Sequence, residues 1–168
     1  MRGGIFACRI PAAIPFKYKK ELSVKKLFAA ASLLALLSGC ASTTLATPEA
    51  DAQAKQFNSQ PAKARVYIYR NEAMGAAVKM NVLADNKALG DTVAKTYIMA
   101  DLEPGSHTLV GKAENDSSLT LDLMAGKIYY VWQEVKMGVL YARNKLQSVD
   151  EAEGQKGVKE SQLVQSPQ

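Results

Sequence analysis

Few residues of this chain could carry nucleophilic or metal chemistry. It contains one histidine, His107, and two cysteines, Cys8 and Cys40. Hydrolysis by a nucleophile and a base needs two such groups side by side, and a metal site needs three or four converging ligands. His107 has only Ser106 and Asp101 as neighbours of suitable type, and a lone histidine beside a turn is typical of a strand edge. The sequence therefore predicts no catalytic residue, no metal and no cofactor, and we do not expect an enzyme.

Paired carboxylates could supply a different acid–base chemistry. The local pairs are Asp101 with Glu103 and Glu114 with Asp116. Both pairs lie among turn-forming residues, where acidic side chains are normally solvated. We therefore interpret them as loop residues.

Cys40 follows a segment with the pattern of a secretory leader. Lys25 and Lys26 precede an apolar run over residues 27–37. This is the length of a signal-peptide core, and it is shorter than the roughly 20 residues that span a bilayer. The tetrapeptide Leu-Ser-Gly-Cys that ends at Cys40 resembles the lipobox of bacterial lipoproteins. The alternative is a conventional signal-peptidase site beside an ordinary cysteine.

The lipobox resemblance implies that lipid is attached to Cys40 after removal of a leader over residues 1–39. Cys40 would then hold the chain at a membrane. Ala41 stands where an aspartate would imply retention at the inner membrane, so the resemblance favours the periplasmic face of the outer membrane. Residues 1–23 do not fit a compact leader, and we hypothesise that translation begins at Val24.

The positive charge of the chain belongs to the leader. The net charge is +5, but residues 1–39 hold seven of the 21 Lys and Arg and one of the 16 Asp and Glu. The part from Cys40 onward is nearly neutral. Binding to nucleic acid depends on many cationic side chains acting together, so we do not expect a nucleic-acid partner.

Beyond Cys40 the composition divides the chain into a spacer and one domain. Residues 40–62 are rich in Ser, Thr, Ala, Gln and Pro, which predicts a flexible tether. Residues 63–164 contain short β-branched and aromatic runs separated by turn signals. Strands are predicted over 65–70, 78–84, 94–99, 107–110, 119–123, 128–135 and 139–143.

A short helix is predicted to close the domain. Ser148 and Glu151 have the spacing of a capping box, opening a helix to about Leu163 that Gly154 and Gly157 should loosen. The predicted fold class is therefore mainly β: a small antiparallel β-sandwich with a short C-terminal helix.

Aromatic and cationic side chains in the predicted strands form the possible contact surface for a ligand or partner. Aromatic rings flanked by arginine can receive sugars, peptides or proteins, although the same rings can also fill a core. The candidate contact residues are Tyr67, Tyr69, Arg70, Tyr97, Tyr129 and Trp132.

Several of these segments, in order, resemble a known family. The run at 65–70, the hairpin at 82–90, the Pro-Gly-Ser-His turn at 104–107 and the segment 125–130 resemble the bacterial lipoprotein domain of unknown function 2846. The turn and the later Gly-Lys-Ile-Tyr-Tyr piece also resemble PEGA-type small β modules. The resemblance implies a fold and an envelope address, with no assigned activity. We expect a membrane-anchored, non-enzymatic envelope lipoprotein that binds another envelope protein or acts as an accessory module, with a glycan or peptidoglycan-binding module as the alternative.

Overall fold

A computed structural model describes residues 42–165 of the chain. The predicted leader over residues 1–39, the hypothetical start at Val24 and the predicted lipid-attachment residue Cys40 lie outside this range. Within it, no helix combines the length and apolar character that crossing a membrane requires.

Within the described residues, nine strands form two sheets, which confirms the predicted mainly β sandwich. One sheet has the order β8-β7-β1-β4-β9 and the other β3-β2-β5-β6. The four-stranded sheet is antiparallel throughout, whereas β1 pairs with β7, and β4 with β9, in parallel. The strands are β1 (Ala64–Arg70), β2 (Met80–Ala84), β3 (Lys87–Thr92), β4 (Thr96–Leu102), β5 (Gly105–Lys112), β6 (Asp116–Leu123), β7 (Ile128–Met137), β8 (Ala142–Val149) and β9 (Gln162–Leu163).

Strand β1 is central to the packing because both of its faces are buried. Val66 and Ile68 face the other sheet in a core with Val82, Leu109 and Val131. Tyr67 and Tyr69 lie in a second cluster that includes residues of two helices, α1 (Pro48–Ala54) and α2 (Glu151–Lys159). The described domain thus has three layers: a sheet, a second sheet and a pair of short helices.

Residues 44–62 differ from the predicted flexible tether. Thr47 caps α1 by accepting the Ala50 amide N–H at 3.3 Å, with Pro48 at the start of the helix. Ala46, Ala50 and Ala54 are spaced four residues apart and pack in the cluster around Tyr67. Small side chains at this spacing give a weak hydrophobic signal, yet they let the helix lie close to aromatic rings. This is why the composition alone resembled a spacer.

The two ends of the described segment also pair with each other. Thr44 O accepts the Gln165 N–H at 2.9 Å, and Leu163 O accepts the Ala46 N–H at 2.9 Å. Residues from Thr44 onward are therefore part of the folded domain, ahead of the predicted start at residue 63.

The C-terminal helix is present with a different cap. Asp150, and not Ser148, caps α2 by accepting the Glu153 N–H at 2.9 Å. Gly154 and Gly157, predicted to loosen this helix, are both buried. A Cβ at Gly154 would collide with the Tyr130 ring, and one at Gly157 with the Tyr69 ring. The glycines therefore permit close packing of the helix on the sheet.

Candidate functional site

The structure buries most of the candidate contact residues predicted from the sequence. Tyr67, Tyr69, Arg70 and Tyr97 are at most 2% exposed. The other two, Tyr129 and Trp132, are partly buried and pack against the core clusters. Four of the six cannot reach a ligand at the surface, so the predicted contact surface is wrong for those four.

The buried tyrosines form a packed cluster under the helices. Tyr67 stacks on Tyr130 with ring centroids 5.5 Å apart, and its hydroxyl donates to Ala54 O at 2.7 Å. The Tyr97 hydroxyl donates to Asp51 Oδ1 at 2.9 Å. Burial raises the pKa of Tyr130 to about 12, and it also raises the pKa of Tyr97. The hydroxyls of Tyr67 and Tyr97 thus join α1 to the sheet.

Arg70 has a structural role as well. Its guanidinium donates to Val78 O at 2.8 Å and to the carbonyls of Met74 and Gly75 at 3.1 and 2.6 Å. Burial lowers the pKa of Arg70, while the negative charge of Glu72 opposes that shift. The side chain thus organises the loop between β1 and β2.

His107, the only histidine, has partners at both ring nitrogens. Nδ1 lies 2.5 Å from Asp85 Oδ2 and Nε2 lies 2.8 Å from Glu103 O. Asp85 Oδ1 accepts the Thr108 N–H at 2.9 Å. Two acceptors around one ring favour the doubly protonated imidazolium. His107 therefore joins the β2–β3 turn to β5, and this geometry does not suit a general base.

The same geometry predicts a pH-dependent contribution to stability. The hydrogen bond to Asp85 raises the pKa of His107 above its usual value, with a further contribution from Glu103 O. A raised folded-state pKa stabilises the fold fully below the unfolded value of about 6.5, and that contribution is lost as the pH rises through the folded value. We expect the one histidine resonance in an NMR titration to have its midpoint above 6.5, the reference value for a free histidine.

An Asp85→Asn variant supplies the control for this titration. Removing the carboxylate should move the His107 midpoint back toward the reference value. A midpoint at the reference value in the unaltered protein would contradict the assigned imidazolium.

The three most exposed large apolar side chains of residues 42–165 lie at a site that the sequence analysis missed. Met137, the last residue of β7, and the loop through Tyr141 that leads to β8 form a segment that we call the β7–β8 tip. Its four apolar side chains, Met137, Val139, Leu140 and Tyr141, are 81%, 88%, 84% and 54% exposed. The prediction of a strand from Val139 was wrong, since β8 begins at Ala142.

One carboxylate holds the β7–β8 tip in its conformation. Glu114 accepts the backbone N–H groups of Val139, Leu140 and Tyr141 at 2.8, 2.9 and 3.0 Å. These three hydrogen bonds lower the pKa of Glu114. Gly138 makes the approach possible, because a Cβ there would collide with the Glu114 carboxylate. The three hydrogen bonds thus give the exposed loop a defined backbone conformation.

A separate polar groove of about 590 Å³ lies beside the N-terminal segment of the described chain. Its lining includes Thr44, Lys79, Asn81, Asp91 and Gln165. Lys79 and Asp91 form an ion pair across it at 3.6 Å. No group of three or more His, Cys, Asp or Glu side chains within residues 42–165 is arranged to share a metal ion.

Comparisons with known proteins agree with the resemblance found in the sequence. The model of the family described as "Protein of unknown function (DUF2846)" matches residues 60–144, about half of the chain. An uncharacterized protein of Haemophilus influenzae is 32% identical over 148 residues, covering 85% of this chain and 88% of that protein. No solved structure shows significant similarity to the chain. The family carries no enzymatic name, and by both matches the chain belongs to the DUF2846 family.

Proposed function

We propose that this chain is a non-enzymatic lipoprotein of the bacterial envelope, anchored through lipid on Cys40 at the periplasmic face of the outer membrane. The Leu-Ser-Gly-Cys tetrapeptide directly after an apolar leader core carries the proposal. Each buried methylene of an acyl chain contributes about 0.8 kcal/mol to membrane binding, and firm anchoring needs two chains or a second signal. Lipidation of the lipoprotein type supplies more than one chain.

The position of the first residues that the structure describes adds to this proposal. Thr44 already pairs with Gln165, and it lies four residues after Cys40. Four extended residues reach at most about 14 Å. An anchor at Cys40 would therefore hold the sandwich close to the bilayer.

Binding of another envelope protein is the second part of the proposal. The alternative, a glycan or peptidoglycan platform, relied on strand aromatics that the fold mostly buries. The exposed apolar side chains instead concentrate at the β7–β8 tip, which is a feature typical of protein contact sites. We therefore favour an accessory module that docks onto a protein.

Replacement of Cys40 tests the anchor. A full-length Cys40→Ser protein should incorporate no labelled palmitate. It should leave the membrane fraction and appear either in the soluble periplasmic fraction or as uncleaved precursor. Separation of inner and outer membranes on a density gradient should place the unaltered protein in the outer membrane.

Ser59→Ala is the control, because Ser59 is exposed and lies outside the lipobox, so this change should have no effect on labelling or fractionation. Membrane retention and labelling that survive the Cys40→Ser change would refute the anchor.

A further inference from the structure

The β7–β8 tip exposes more apolar surface than a solvated loop needs. Val139 and Leu140 are nearly fully exposed, and Met137 and Tyr141 extend the same loop. Contiguous exposed apolar residues in soluble domains mark contact sites for proteins, membranes or ligands. The exposed tip therefore indicates a contact site that another molecule covers.

The conformation of the tip is fixed before any contact is made. Its three amide N–H groups are already bound by Glu114, and the absence of a side chain at Gly138 leaves room for that carboxylate. A loop held by such hydrogen bonds loses less conformational entropy on binding than a mobile loop does. A defined conformation of this kind suits a docking element.

The surface beside the tip is cationic. Arg143 and Lys145 are exposed on β8 and form no ion pair among residues 42–165, whereas Lys112 and Lys136 are paired with Asp116 and Glu134. Arg143 and Lys145 also line a groove of about 320 Å³ that reaches Met137. An acidic rim on the occupant would complement this surface.

The location of the tip favours a protein occupant over a lipid one. The tip adjoins β8 at one edge of the five-stranded sheet, while the segment at Leu45 pairs beyond β9 at the other edge. Five strand spacings separate β8 from the Leu45 segment, which is about 24 Å at the usual interstrand distance. The Leu45 edge lies next to the proposed anchor, so a domain that faces the bilayer with this edge presents the tip on the opposite side.

We propose that the β7–β8 tip inserts into an apolar cleft of another envelope protein, and that Arg143 and Lys145 pair with carboxylates on the rim of that cleft. This inference rests on the proposed function, because it takes the anchor at Cys40 as given. It adds the contact residues and the chemistry of the partner.

Site-specific photocrosslinking in cells tests the docking element. The full-length chain would carry p-benzoylphenylalanine in place of Leu140, with Met124 as the matched control position. Met124 is also an exposed apolar residue, but it lies at the opposite end of β7. We expect one protein adduct from position 140 and none from position 124.

Variants of the tip establish the chemistry of the contact. The adduct should fall at least about tenfold with Val139→Ser plus Tyr141→Ser, as expected for central apolar contacts. It should also fall with Arg143→Glu and recover when a carboxylate at the crosslinked site of the partner is changed to lysine. Met124→Ser should leave it unchanged, and thermal unfolding should show that every variant remains folded.

Other outcomes overturn the inference. An adduct with lipid would show a membrane contact, an adduct with a second copy would show self-association, and no adduct would show that the tip is free. Equal adducts from both positions would mean non-specific collision. None of these results touches the anchor, which is tested by the fractionation of Cys40→Ser.

Discussion

Replacing Arg70 with methionine should lower the free energy of unfolding by about 3 kcal/mol, the range expected when a buried polar network loses its charged member. Three backbone carbonyls of the β1–β2 loop lose their donor in this variant. Glu72 also loses a neighbouring positive charge, and its Oε2 is already buried without a hydrogen-bond partner among the described residues.

Two effects oppose each other in this variant. Methionine removes the cost of burying a guanidinium, whose pKa is lowered by that burial, and it fills part of the same volume. Each buried acceptor left without a donor costs about 1–3 kcal/mol. Because three carbonyls and one carboxylate are affected, we expect the loss to exceed the gain. Urea-induced unfolding of the purified protein measures the difference.

Arg143→Met is the matched control for this measurement, since the same substitution is made on an exposed strand residue. Its effect should lie within about 0.5 kcal/mol, as for most surface changes. If the Arg70→Met protein were as stable as the parent, the free-energy cost of burying the guanidinium would equal the stabilisation that its hydrogen bonds provide.

The buried strand β1, which ends at Arg70, shows how far the sequence could predict this fold. Alternation in Arg-Val-Tyr-Ile-Tyr-Arg indicated a strand covered on both faces, and β1 is buried throughout. The strands were predictable because a period of two, interrupted by turn residues, is a local signal. The pairing of β1 with β7 in parallel is not local, and no residue pattern indicated it.

The candidate contact surface failed for a related reason. The pattern placed Tyr67 and Tyr69 on one face of β1 but gave no information about what covers that face. Its cover comes from α1 and α2, one of which lies in a segment that resembled a flexible tether. Burial of the tyrosines therefore depends on a layer of two helices, and the sequence did not predict that layer.

The β7–β8 tip was missed because Val-Leu-Tyr has high β propensity. Such residues predict a strand, and β propensity is decided largely by tertiary context. Here Glu114, 25 residues earlier in the chain, binds the amide groups that a partner strand would have used. Gly138 was the one local signal of a break.

Replacing both Gly154 and Gly157 with alanine should destabilise the protein by about 3 kcal/mol, although alanine is the better helix former. In an exposed helix each change would stabilise by about 0.5–1 kcal/mol relative to glycine. In this fold the new Cβ atoms would collide with the rings of Tyr130 and Tyr69. Those rings are fixed in the core, so the helix must move away from the sheet.

The size of the effect follows from what the helix covers. Displacing α2 would expose Val158, which is fully buried, and would loosen the packing around Tyr69. Overpacking of a core typically costs about 1–3 kcal/mol per site, and the two sites share one displacement, so the costs should not simply add. Thermal unfolding and near-ultraviolet circular dichroism of the tyrosines would report both the loss and its location.

Lys156→Ala, on the exposed side of the same helix, separates helix propensity from packing. It should change stability by no more than about 0.5 kcal/mol. If the double alanine variant were instead more stable than the parent, helix propensity would outweigh contact with the tyrosines. A helix that gains two methyl groups without loss of stability cannot be in close contact with the Tyr130 and Tyr69 rings. The packing of the helix layer on the sheet would then be looser than the close approach of Gly154 and Gly157 indicates.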